Sequence, residues 1–144
     1  MAATFAGAGM DTVVTPASHA AALWAGLLML LLLVLSLLAV RQRRLTGVVI
    51  GDGELEPLVK ATRAFGNAAE YVPAGIAALA VLAIVGAPWW VIHLVGLGLF
   101  VGRVAHAIGL STDLDVSIGR TVGMILTWLS FLVAAALLLF YSAP

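Results

Sequence analysis

Apolar residues in this chain run in long unbroken blocks. The first covers about residues 20–40 and stops at the basic cluster Arg41, Gln42, Arg43 and Arg44. The second opens as a polar helix near Pro57 and becomes wholly apolar from Val72 to about Val85. The third runs from Pro88 to about Ile108, and the fourth from about Ile118 to Tyr141. At about 1.5 Å per helical residue, each block can cross a hydrocarbon core of roughly 30 Å. Membrane strands would instead alternate in short units, which these blocks do not. The pattern predicts an all-α integral membrane protein. Its fold is a four-transmembrane-helix bundle built as a single domain over residues 1–144, with spans at about 20–40, 57–85, 88–108 and 118–141.

The breaks between blocks have local causes. Pro16 and Ser18 suit the entry to the first helix, Pro57 the first turn of the second, and Pro88 the first turn of the third. Gly51, Asp52 and Gly53 read as a turn, with no phosphate-loop or dinucleotide pattern around them. Between Met1 and Val40 the only charged group is Asp11. The first apolar run is longer than a signal-peptide core and is expected to remain as a span.

Composition strengthens this picture. The chain has 144 residues, 63% hydrophobic and 10% charged, and its mean hydropathy is +1.16. Lipid must cover much of such a surface. The formal net charge is zero, so no basic field attracts nucleic acid. The absence of cysteine excludes disulfides, thiolate metal sites and a cysteine nucleophile.

All seven Lys and Arg residues (Arg41, Arg43, Arg44, Lys60, Arg63, Arg103 and Arg120) fall around the first or third connection. With four spans these two connections share one side. The positive-inside rule makes that side cytoplasmic and both termini non-cytoplasmic. Trp89, Trp90 and Tyr141 fit an aromatic belt on the other side.

The second helix carries Lys60, Arg63, Asn67 and Glu70, followed by Tyr71. The offsets of three, four and three put the first four on one face that descends into the membrane. An ionised carboxylate at that depth costs about 2.5–3.5 kcal/mol, so Glu70 is expected to face a cation or a wet cavity. Pro73 removes a helical donor beside this stripe. Arg103 and His106 share a face of the third helix, and Arg120 opens the fourth after the acidic residues Asp113 and Asp115. Two readings stay open: a ligand site, or a buried polar network that joins helices while Lys60 and Arg63 reach headgroups. No two histidines have metal-ligand spacing, so no metal is expected, and neither His93 nor His19 has an evident role. Gly98 and Gly102, with Gly119 and Gly123, mark close helix contacts.

The run Arg63, Asn67, Glu70, Tyr71 and Pro73 resembles the signature of the MAPEG family, the membrane-associated proteins in eicosanoid and glutathione metabolism. The segment from Gly102 to His106 is similar to the third helix of its prostaglandin E synthase branch, and Arg120 matches an arginine at the start of the fourth helix. The resemblance implies a homotrimer with glutathione as co-substrate, held between protomers at the cytoplasmic side. Arg63, Asn67, Glu70, Tyr71, Arg103 and His106 would bind it together with Arg43 or another member of the Arg41–Arg44 cluster of a neighbour. Arg120 would be catalytic: a cation beside a thiol favours the thiolate. The implied activity is a glutathione S-transferase or peroxidase of the bacterial type, in a bacterial inner membrane rather than endoplasmic reticulum, detoxifying lipophilic electrophiles that arrive through the lipid. One departure is visible: eicosanoid-forming members carry a tyrosine four residues beyond His106, where this chain has Leu110. The alternative is a non-catalytic thiol- or lipid-binding protein of the same fold. A small multidrug transporter would place a carboxylate in the first span, which has none.

Overall fold

The computed structural model describes residues 15–112, 115 and 117–143. Four helices follow one another: α1 (Pro16–Thr46), α2 (Glu56–Ile84), α3 (Trp89–Thr112) and α4 (Ile118–Ser142). All four are long and apolar enough to cross a membrane, with mean hydropathies of 2.8, 1.5, 1.8 and 2.4 over their most apolar stretches. The chain is therefore a multi-pass, all-α membrane protein.

α1 and α3 extend beyond the apolar blocks, because backbone hydrogen bonding does not require apolar side chains. α1 starts at a capping box between Thr15 and Ser18 and continues through the basic cluster. It stops only where Gly47 adopts a left-handed conformation (φ 72°) and donates its N–H to the Arg43 carbonyl. α3 continues to Thr112, which carries His106 and Leu110 inside the helix. Pro73 lies within α2 without ending it.

α2 and α3 are central. Each packs against all the other helices, while α1 and α4 lie apart from one another. α1 pairs closely with α2, and α4 with α3. The α3/α4 seam depends on missing side chains: a Cβ on Gly102 would lie 2.9 Å from the Gly123 carbonyl oxygen, and one on Gly123 would lie 2.6 Å from that of Gly102. The expected glycine contact is thus backbone against backbone.

Two apolar clusters fill the bundle. The larger, at the end holding the start of α1, contains Trp24, Leu28, Leu79, Leu82, Ile92, Val95 and Leu99. The smaller, at the opposite end, contains Leu35, Ala64, Ala68, Ala107 and Leu110. Small side chains at this second end leave room beside α2 and α3, and the polar residues gather there.

Candidate functional site

Three helices supply one polar cavity. α2 brings Val59, Arg63 and Asn67, α3 brings His106 and Leu110, and α4 brings Arg120; together they line about 370 Å³. The i, i+4 spacing of Arg63 with Asn67, and of His106 with Leu110, stacks each pair on one helix face. Arg120 sits in the first turn of α4, where its N–H donates to the Ser117 hydroxyl at 3.4 Å. Its guanidinium Nη1 donates to the Asp115 carbonyl at 2.6 Å, which holds the side chain back along the α3/α4 connection.

Behind the cavity lies Arg103, only 1% exposed. Its Nη2 donates to Asn67 Oδ1 at 2.7 Å, and its Cζ sits 5.1 Å from the centre of the Tyr71 ring. A buried guanidinium needs such partners, and the aromatic face supplies one without a second charge. Because Asn67 spends its oxygen on Arg103, its amide nitrogen remains as a donor. Arg103 Nε and His106 Nδ1 are buried without hydrogen-bond partners among the described residues. Tyr71 also packs on Phe131, with ring centres 6.0 Å apart.

The polar stripe of α2 divides in three. Arg63 and Asn67 face the cavity. Lys60 turns away: its ammonium lies 2.6 Å from the Glu56 carboxylate and donates to the Thr112 carbonyl at 3.0 Å, which ties α2 to the end of α3. Glu70 is exposed on the bundle surface and lies outside the lining. Asn67, not Glu70, orients Arg103 by a direct bond. Arg43 lies elsewhere, with Nη1 donating to the carbonyls of Val48, Val49 and Gly51. It orders the α1/α2 connection of its own chain. Asp113 lies outside the described residues.

A second groove, of about 420 Å³, runs between α1 and α2 past Leu35, Leu38, Gln42, Pro57 and Lys60. Its one cation is already matched by Glu56. The cavity with Arg63 and Arg120 brings two guanidinium groups to one space.

A family model described as the MAPEG family matches residues 21–140. The inner membrane protein YecN of Escherichia coli strain K12 is 37% identical over 120 residues, which are 83% of this chain and 90% of that protein. YecN of Escherichia coli O6:H1 matches to the same extent. No solved structure gives a significant match. The signature residues of α2, the four-helix architecture and a match spanning nearly all of the helical region agree, and the chain belongs to the MAPEG family.

Proposed function

We propose that the protein is a glutathione-dependent transferase or peroxidase of the inner membrane, acting on lipophilic electrophiles. The observation that carries this reading is the cavity lined by Arg63, Asn67, His106 and Arg120. It offers two guanidinium groups, an amide and an imidazole, with no acidic side chain among the described residues of the lining. That chemistry suits a ligand with two carboxylates and a thiol. The family includes glutathione transferases, which supports the choice of thiol.

Arg63 would take a glutathione carboxylate, where the planar fork of a guanidinium gives paired charge-assisted bonds. The Asn67 amide, held by Arg103, and His106 would bind the peptide portion. Glu70, exposed on the same helix, has the charge to meet the ammonium. Arg120 would lie by the sulfur, favouring the thiolate. In conjugation the thiolate forms a bond to an electrophilic carbon, and the leaving group departs with its electron pair. In peroxide reduction sulfur takes one oxygen, the alcohol is released, and a second glutathione gives the disulfide and water.

Homotrimeric assembly belongs to this proposal. Glu70 is exposed in one protomer, and a carboxylate left against lipid costs about 2.5–3.5 kcal/mol at the bilayer centre. A neighbouring copy would cover it. Native mass spectrometry in mild detergent should show three chains. The positive-inside distribution supports a cytoplasmic site with non-cytoplasmic termini.

Thiolate absorbance of glutathione titrated with wild type and Arg120→Leu tests the chemistry. Placing a cation near the thiol lowers its pKa, so ionisation and conjugation should persist to lower pH in wild type. Loss of Arg120 should move the midpoint up by about 1–3 units, with glutathione affinity little changed. Equal midpoints would remove Arg120 from catalysis. Binding without any thiolate would favour the non-catalytic alternative.

A further inference from the structure

The end of the bundle opposite the glutathione cavity holds a second arrangement that the proposed reaction leaves unused. His93 lies on the first turns of α3, half-buried, between two indoles. Trp89 meets its ring edge-on at 5.7 Å between centres, and Trp24 does so at 6.1 Å. Trp24 Nε1 donates to His93 Nδ1 at 3.1 Å. The pairing is built into the packing of α1 on α3. Trp24 presses onto Gly96, and a Cβ at that position would collide with the indole ring.

This bond decides where the imidazole proton sits. An indole N–H can only donate, so Nδ1 must be the acceptor and the ring proton is on Nε2. Nε2 makes no hydrogen bond with a described residue, and His93 forms one wall of a cavity of about 470 Å³. The other walls are Pro16, His19, Ala20, Leu23 and Trp89. Among the described residues the lining contains no Lys, Arg, Asp or Glu, so an ion gains no permanent counter-charge from them. What it offers is an apolar and aromatic surface, the rings of His19 and Trp89, and one donor held in place by a hydrogen bond, His93 Nε2–H, beside the helix ends.

We propose that this cavity binds a neutral, membrane-dissolved molecule through a carbonyl oxygen that accepts from His93 Nε2–H, with its apolar part against Trp89 and Leu23. Small-molecule sites commonly combine an apolar wall with a few placed polar groups in this way. Two sources carry that carbonyl: a free lipophilic ketone or quinone, and the acyl esters of the bilayer itself. The site is independent of the glutathione reading, since it shares no lining residue with that cavity.

The test uses the whole protein in nanodiscs, with histidine carrying the heavy nitrogen isotope. Nuclear magnetic resonance then reports the His93 ring proton. Discs of diester phosphatidylcholine are compared with discs of diether phosphatidylcholine, which has no acyl carbonyl, and each is titrated with decyl-benzoquinone. A Nε2–H resonance that moves saturably with the quinone assigns the site to free carbonyl compounds. One that differs between the two lipids before any addition assigns it to acyl esters. Protonation at Nδ1, or an Nε2–H signal unmoved by lipid and quinone alike, overturns the proposal. If the quinone binds, His93→Phe should weaken it about fivefold, the loss of one neutral hydrogen bond.

Discussion

The two ends of the bundle use the same four helices differently. At the end holding Trp24, Leu79, Leu82 and Ile92, large side chains interlock between α1, α2 and α3. At the other, alanines at 64, 68 and 107 form a thin apolar layer, and the remaining space is lined with Arg63, Asn67, His106 and Arg120. The difference separates stability from the proposed chemistry. A dense core fixes the helices relative to each other, and a sparse one leaves a polar cavity between helices that are already held. Arg103 belongs to both regimes: it is buried like a core residue, yet its bond to Asn67 orients a group in the cavity.

Three substitutions sharpen this contrast. Leu79→Ala has the largest expected effect. Leu79 is fully buried, and truncating such a side chain costs about 2–5 kcal/mol. Reversible unfolding in detergent should register that loss, while glutathione affinity of the folded fraction stays the same. A fall in affinity of the folded fraction would mean that the two ends are coupled. Arg63→Leu comes next and acts in the opposite sense. Loss of a charge-assisted bond of about 1.5–3 kcal/mol should weaken glutathione binding by roughly 10- to 150-fold in calorimetry, with unfolding unchanged. The smallest effect is expected of Leu110→Tyr, which places a hydroxyl in the cavity wall. One added hydrogen bond of about 1 kcal/mol to the sulfur should raise the thiolate fraction up to about fivefold. No change would place the sulfur away from Leu110.

Much of this was legible in the sequence, for identifiable reasons. Hydropathy located the four spans because lipid imposes long apolar blocks whatever the packing. The glycines of α3 and α4 announced their contact, since few other reasons place Gly102 and Gly123 inside such helices. The pattern of α2 correctly put Arg63 beside Asn67. Its periodicity could not show that Lys60 leaves the stripe, because a flexible four-carbon stem can follow Glu56 and Thr112 to either side. Nor could it show that Asn67 is the direct partner of Arg103, or that Arg43 serves its own connection; both depend on distances across elements far apart in sequence. His93 had no visible signal, because its partner Trp24 lies 69 positions earlier. The one hint was Gly96, a gap in an apolar run that an indole fills.

The low hydropathy of α2 has a consequence for biogenesis. Its most apolar stretch averages 1.5, against 2.8 for α1, and it enters the bilayer with Arg63, Asn67 and Glu70 aboard. On insertion scales a central ionised residue costs as much as several leucines return. α1 can therefore leave the translocation channel for lipid unaided, whereas α2 is a reluctant follower. Its partition is favoured once α3 emerges behind it and Arg103 can meet Asn67 and Tyr71. The bonds that shape the cavity are thus also the bonds that complete the membrane insertion of the helix carrying it.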